Sequence, residues 1–215
     1  MFCTKIGFSK FKMGNFFYFH LMNYLAHIYL SDENENIQLG NFFADSVKGK
    51  SYLHYPLEIQ KGILLHRFID SYTDDHEQVR KSKRRLDPKY GLYKGIIIDI
   101  FFDHFLAKNW IEYSDKSLVN FTEQFYRNLE RNFDLLPEKT KGMVPYLIDQ
   151  NWLESYANFD GIEAVLKGMN RRTQNRSKMD MAMTDLYSHY EVFESDFRIF
   201  FPDLIKSSQE KLKTL

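Results

Sequence analysis

The sequence predicts an all-α protein, a single-domain bundle of many helices. Three observations lead there. Apolar residues recur at helical spacing almost throughout. Alternating apolar and polar runs bounded by turn residues are missing. Proline is scarce, with 5 in the chain, and reads as a marker of element boundaries. Asn23 is placed to cap a short first helix ending near Ser31. A second helix fits Ile37 to Lys48, stopped by Gly49. Pro56 suits a first helical position and opens a helix from Leu57 to about Tyr72. Asp74 suits the cap of a strongly charged helix that ends before Pro88. A long apolar helix fits Leu92 to Tyr113. Ser114 or Asp115 can cap the next one, which reaches about Phe133 ahead of Pro137. Shorter helices are expected at 138–149 and 159–169 and a longer one at 178–198. Pro202 then begins a terminal amphipathic helix.

A chain of 215 residues has the length of one domain. The expected division is an extension over 1–21 and a single helical domain over 22–215. Lys5, Lys10 and Lys12 interrupt the apolar residues of the extension, so no signal core or membrane span fits there. Met22 stands directly before the first well-patterned segment. The only cysteine, Cys3, permits no intrachain disulfide and suits a reducing compartment. With 29 basic and 29 acidic residues the formal charge is zero, which argues against nucleic acid or an anionic membrane as a general partner. The expected location is the cytoplasm.

Chemistry is sought where polar residues break an apolar face. Four segments do so: Asn23-Tyr-Leu-Ala-His27, Gly40-Asn41-Phe-Phe-Ala-Asp45, His66-Arg67-Phe-Ile-Asp70 and Asp99-Ile-Phe-Phe-Asp103-His104. Asn23/His27, His66/Asp70 and Asp99/Asp103 are each four apart, so each pair shares one helical face and can reach one ion. Asp99 and Asp103 lie in one of the most apolar stretches of the chain, where carboxylates are costly unless a cation or donor compensates. Each residue alone has a plainer account. A single histidine fits a hydrogen-bonded core position, Asp99 fits a helix cap or a pair with Arg67, and Asp45 fits a solvent-facing helix end. Four such segments together favour a metal centre of imidazole and carboxylate groups. Without a thiolate outside the extension, the donors suit manganese, iron, magnesium or catalytic zinc.

These residues resemble the acyl carrier protein phosphodiesterase family. The matching stretches are Met22-Asn-Tyr-Leu-Ala-His27, Gly40-Asn41 with Asp45, Gly62 with His66-Arg67 and Asp70, and Thr73-Asp74. They continue with Asp99, Asp103-His104-Phe-Leu106, Gly168-Met169 with Arg171-Arg172, and Tyr187 with His189-Tyr190 ahead of Phe201-Pro202. The resemblance runs from Met22 to near the C-terminus. Two departures stand out: the N-terminal extension, and Phe102 where related sequences often carry tryptophan.

The resemblance implies an all-α, HD-phosphohydrolase-like fold. It implies manganese-dependent hydrolysis of holo acyl carrier protein to the apo form and 4′-phosphopantetheine, with Mg2+ or Fe2+ as the other candidate ions. The candidate metal ligands are His27, Asp45, His66, Asp70 and Asp103. Asp45, His66, Arg67, Asp99 and His104 are the candidate catalytic residues. Among them Asp99 and His104 are placed as ligands, orienters or the acid that protonates the leaving oxygen. Arg67 is a candidate for a phosphate oxygen, or else for a salt bridge to Asp70 or Asp74. An acidic carrier protein would dock on basic patches, with Arg171 and Arg172 preferred over the run Arg80-Lys81-Ser-Lys83-Arg84-Arg85. The rival readings are an HD-like phosphohydrolase of nucleotides or small phosphate esters, and a helical adaptor without catalysis.

Overall fold

The computed structural model describes residues 24–215, so the extension over 1–21 and the expected cap Asn23 lie outside the described residues. Among the described residues every regular element is helical. The helices are α1 (Tyr24–Tyr29), α2 (Glu35–Phe43), α3 (Leu57–Asp75), α4 (Glu77–Arg85), α5 (Lys94–Lys108) and α6 (Leu118–Arg131). They continue with α7 (Glu138–Lys141), α8 (Val144–Asp149), α9 (Trp152–Ser155), α10 (Phe159–Arg172), α11 (Ala182–Ser188) and α12 (Tyr190–Leu212). No described helix is long and apolar enough to cross a membrane.

The centre is α5, buried nearly all round: Ile97, Ile98, Ile100, Phe101, Phe102, Phe105 and Leu106 are all in the core. It packs on α12, whose Phe193, Phe197 and Phe200 recur at helical spacing and meet Phe101 and Phe102 edge-on or tilted. Phe102 is thus a packing residue against Phe197 and Phe200.

The tightest helix pair is α2 on α3. A methyl group on Gly40 would lie 2.2 Å from the Ile59 carbonyl oxygen, and one on Gly62 would lie 2.2 Å from that of Ile37. Only glycine permits this backbone approach. The crossing sets Asn41 of α2 directly beside His66 of α3.

Several boundaries differ from expectation, each for a visible reason. Asn34 caps α2 through its side-chain oxygen, and the helix ends at Phe43, leaving Asp45 in a single 3-10 turn, Ala44–Ser46. His76, not Asp74, caps α4 by accepting from the Gln78 amide, while Asp74 pairs with Lys83 at 2.6 Å. The apolar segment begins later, at Lys94, and stops at Asn109, whose side chain donates to the Phe105 carbonyl. Ser117 caps α6. Pro145 sits in the first turn of α8 and splits the helix expected at 138–149. The one expected at 178–198 is a 3-10 turn, α11 and the start of α12, which then runs straight through Pro202. Pro202 faces solvent while Phe200, Phe201 and Leu204 around it are buried, so tertiary packing outweighs the lost backbone hydrogen bond.

Candidate metal centre

His27 comes from α1, and His66 and Asp70 from one face of α3. The donor atoms of these three side chains all lie within 4.8 Å of one another. His27 Nε2 is 3.4 Å from one Asp70 oxygen and His66 Nε2 is 3.3 Å from the other. Asp45, from the turn after α2, brings an oxygen to 3.5 Å from His66 Nε2. The imidazoles are almost fully buried and the carboxylates only in part, so the cluster is closed behind and open in front.

Asn41, wholly buried, fixes Nδ1 of both rings as a hydrogen-bond donor. Its amide nitrogen donates to the His27 carbonyl and to Ser31 Oγ, each at 2.8 Å. Its oxygen must therefore face the rings, 2.6 Å from His27 Nδ1 and 3.1 Å from His66 Nδ1. Since that oxygen carries no proton, both Nδ1 atoms donate to it. In the neutral form of each ring, a bare Nε2 lone pair would then face a carboxylate oxygen. Neither Nε2 has a hydrogen-bond partner although both are buried. Lone pairs aimed at anions repel, and a buried polar atom without a partner is costly. Protonating both rings would put two cations with ring centroids only 4.3 Å apart. One divalent ion resolves the conflict. Neighbouring ligands of an ion bound at about 2.1 Å stand roughly 3.0–3.4 Å apart, close to the spacing seen. Donors of this kind fit the residues present.

The remaining sequence candidates separate. The carboxylate expected on the ion from Asp103 is the cap of α1 instead: its two oxygens accept from the Leu25 and Ala26 amides at 3.0 and 2.9 Å. Burial raises this carboxyl to about 8, and the two amides hold it down. Asp103 thus fixes the helix that carries His27. Asp99, four residues away, is not among the three convergent donors, but it keeps some contact with solvent and lies within electrostatic reach of Asp70 and Asp103. Desolvation raises its carboxyl to about 8. The Lys83 ammonium opposes that rise, and Asp70, Asp74 and Asp103 reinforce it.

His104 is also apart from the cluster. Its Nδ1 donates to the Tyr156 carbonyl at 2.8 Å and its Nε2 accepts from the Tyr190 hydroxyl at 2.7 Å, while burial lowers its pKa. Arg67 meets neither Asp70 nor Asp74. It donates to the Val47 and Gly49 carbonyls and lies over Tyr52, bracing the loop after Asp45. Of the basic pair, Arg171 is exposed, whereas Arg172 is half-buried over Trp152. In the run on α4, Arg80 pairs with Asp75, Lys81 with Glu77, Lys83 with Asp74 and Arg85 with buried Asp196, so most of its charge is used within the chain. Asn41 had no role assigned from sequence. A polar residue inside Leu39-Gly-Asn-Phe-Phe was the signal available.

Comparison with known proteins bears on the same residues. The family model described as acyl carrier protein phosphodiesterase matches residues 22–204. The chain belongs to the acyl carrier protein phosphodiesterase family. A protein of that name from Yersinia enterocolitica is 32% identical over 191 residues, covering 88% of this chain and 99% of its own. One from Photorhabdus laumondii is 34% identical over 191 residues, covering 88% of this chain and 96% of its own. One from Klebsiella pneumoniae is 32% identical over 194 residues, with 88% and 99% covered. No solved structure matches the chain. All the candidate ligands of the family resemblance, from His27 to Asp103, fall inside the matched region.

Proposed function

We propose that the chain is a divalent-metal phosphodiesterase that cleaves the bond between 4′-phosphopantetheine and the carrier serine of holo acyl carrier protein. Family membership supports the substrate class, and the paired orphan Nε2 atoms of His27 and His66 carry the metal. His27, His66 and Asp70 would hold the ion with Asp45 alongside, and manganese is the ion the family resemblance favours over Mg2+ or Fe2+. When bound, such an ion offsets charge on a phosphoryl oxygen and lowers the pKa of water. A kinship to HD-type metal phosphohydrolases, which the family resemblance implies, would accord with this helical donor set.

The chain's own residues divide the remaining work. Asn41 keeps both imidazoles in the tautomer that leaves Nε2 free. Asp103 anchors α1 and so holds His27 in place. Arg67 stiffens the loop beside Asp45. Asp99 suits the acid that gives a proton to the serine oxygen, because its raised pKa keeps it protonated near neutrality. Arg171, exposed at the end of α10, suits contact with the protein substrate, and Arg172 suits a role nearer the site. The protein is proposed to work in the cytoplasm.

The deciding experiment follows the mass of holo carrier protein incubated with the enzyme, with and without manganese, for wild type and Asp45→Ala. Loss of the 4′-phosphopantetheine mass only with manganese, slowed in the variant, supports the proposal. Hydrolysis of free nucleotides with an intact carrier would replace it by the nucleotide phosphohydrolase reading.

A further inference from the structure

The proposed reaction carries a steric condition. The bond to be cut joins phosphorus directly to a serine side chain, so the carrier backbone beside that serine must come within a few ångströms of the ion. Carrier surface then has to press on the rim of the centre. Next to Asp45 that rim is the segment 46–57. It holds Lys48 and Lys50 and no acidic residue. Lys48, Lys50, Leu53 and Leu57 are all exposed, the two leucines at 55% and 64%. Lys48 stands three residues after Asp45, so the chain keeps it within about 11 Å. Neither lysine closes an ion pair among the described residues. The segment is held from beneath by α3. Arg67, the neighbour of His66, donates to the Val47 and Gly49 carbonyls at 3.0 and 2.8 Å and lies over the Tyr52 ring. Gln60 donates to the Tyr55 carbonyl at 2.8 Å, and the Tyr55 ring packs 5.1 Å from that of Phe43.

We propose that this segment, through Lys48, Lys50, Leu53 and Leu57, is the docking surface for the protein part of the substrate, and that it receives an acidic face of the carrier bearing an apolar side chain. The proposal rests on the phosphodiesterase reading for its partner. Charge sets the sign of that partner. Two ammoniums with no acid between Asp45 and Glu58 attract carboxylates and repel a basic surface. The leucines add apolar area that water now covers. Because Arg67 and Gln60 already fix the backbone, docking need not order it, which lowers the entropic cost of the contact. The same Arg67 that braces the segment sits beside His66, so a carrier seated there is registered against the ion.

The test uses the full chain loaded with manganese, as wild type, Lys48→Glu/Lys50→Glu, Lys48→Arg/Lys50→Arg and Leu53→Asp. Manganese stoichiometry, thermal unfolding and sedimentation are measured on each, with calorimetric binding of carrier protein and kcat and KM on the holo form. Charge reversal is expected to raise KM and Kd about tenfold or more, with kcat and manganese kept, and to flatten the dependence of KM on salt. The arginine pair should behave as wild type. Leu53→Asp should weaken binding at low and high salt alike. Unchanged KM and Kd in both weakened variants overturns the docking surface. A fall in kcat with loss of manganese also overturns it, by making the segment a support of the centre only. Self-association of wild type that the same variants abolish would make it an interface between copies and overturn it too. If wild type binds carrier protein through these residues without cleaving the holo form, the docking surface stands and the phosphodiesterase reading fails.

Discussion

His66 and His104 are both buried imidazoles on apolar helices, each close in sequence to a carboxylate, and their surroundings differ in one respect. Around His104 every polar atom is answered: one ring nitrogen by the Tyr156 carbonyl, the other by the Tyr190 hydroxyl, and neighbouring Asp103 by two backbone amides. Around His66 the accounting fails on one side. Asn41 satisfies Nδ1, while the buried Nε2 atoms of His66 and His27 face carboxylates without a hydrogen bond. A buried histidine with an aspartate near it in sequence thus makes a structural node in one place and a candidate ligand cage in the other. What separates them is whether the hydrogen bonds close.

That contrast predicts opposite outcomes for two aspartates. Asp70→Ala should abolish tight manganese binding and lower turnover about a thousandfold, because it removes a ligand from an ion expected to contribute several kcal/mol. The fold should persist, since Asp70 is 31% exposed. Retention of stoichiometric manganese by that variant would break the comparison. Asn41→Leu should weaken manganese binding about 10- to 100-fold by releasing the tautomers of both rings, measured by competition with a metal indicator. Asp103→Ala should instead cost about 1–3 kcal/mol in denaturant unfolding, by leaving two buried amides unanswered, with manganese stoichiometry kept.

The smallest effect concerns pH. Asp99 has a folded-state pKa near 8 against its ordinary 3.8. Its protonation therefore stabilises the metal-free fold fully below about 4, and that contribution is lost as pH rises through about 8. Asp99→Asn, neutral throughout, should flatten the unfolding profile of the metal-free protein across that interval. A profile identical to wild type would remove Asp99 as the protonated acid.

Much of the fold was legible from spacing alone. The periodicity of Phe193, Phe197, Phe200 and Leu204 reports a buried helical face wherever the neighbours lie, as does the apolar stretch 96–106, broken only by Asp99, Asp103 and His104. Local rules misjudged Pro202 and the 178–198 segment because burial on one face of α12 overrides a single missing donor. Likewise, the pairing of His66 with Asp70 followed from a four-residue step, which geometry enforces within one helix. The same step misled at Asp99 and Asp103, because sharing a face does not say which partner that face meets.

By itself, then, the sequence determined the helical class, the core stripes and the short list of polar residues placed among apolar ones, since these depend on contacts within a few residues. Tertiary structure alone decided which of them converge. Two glycines let α2 and α3 approach closely enough for Asn41 to bridge two imidazoles, the α1 amides claimed Asp103, and a hydroxyl pair tied Thr140 of α7 to Ser46 beside Asp45. Each of these is a hydrogen bond or backbone contact between segments 14 to 94 residues apart. No local pattern encodes that proximity, because it is set by how whole helices pack.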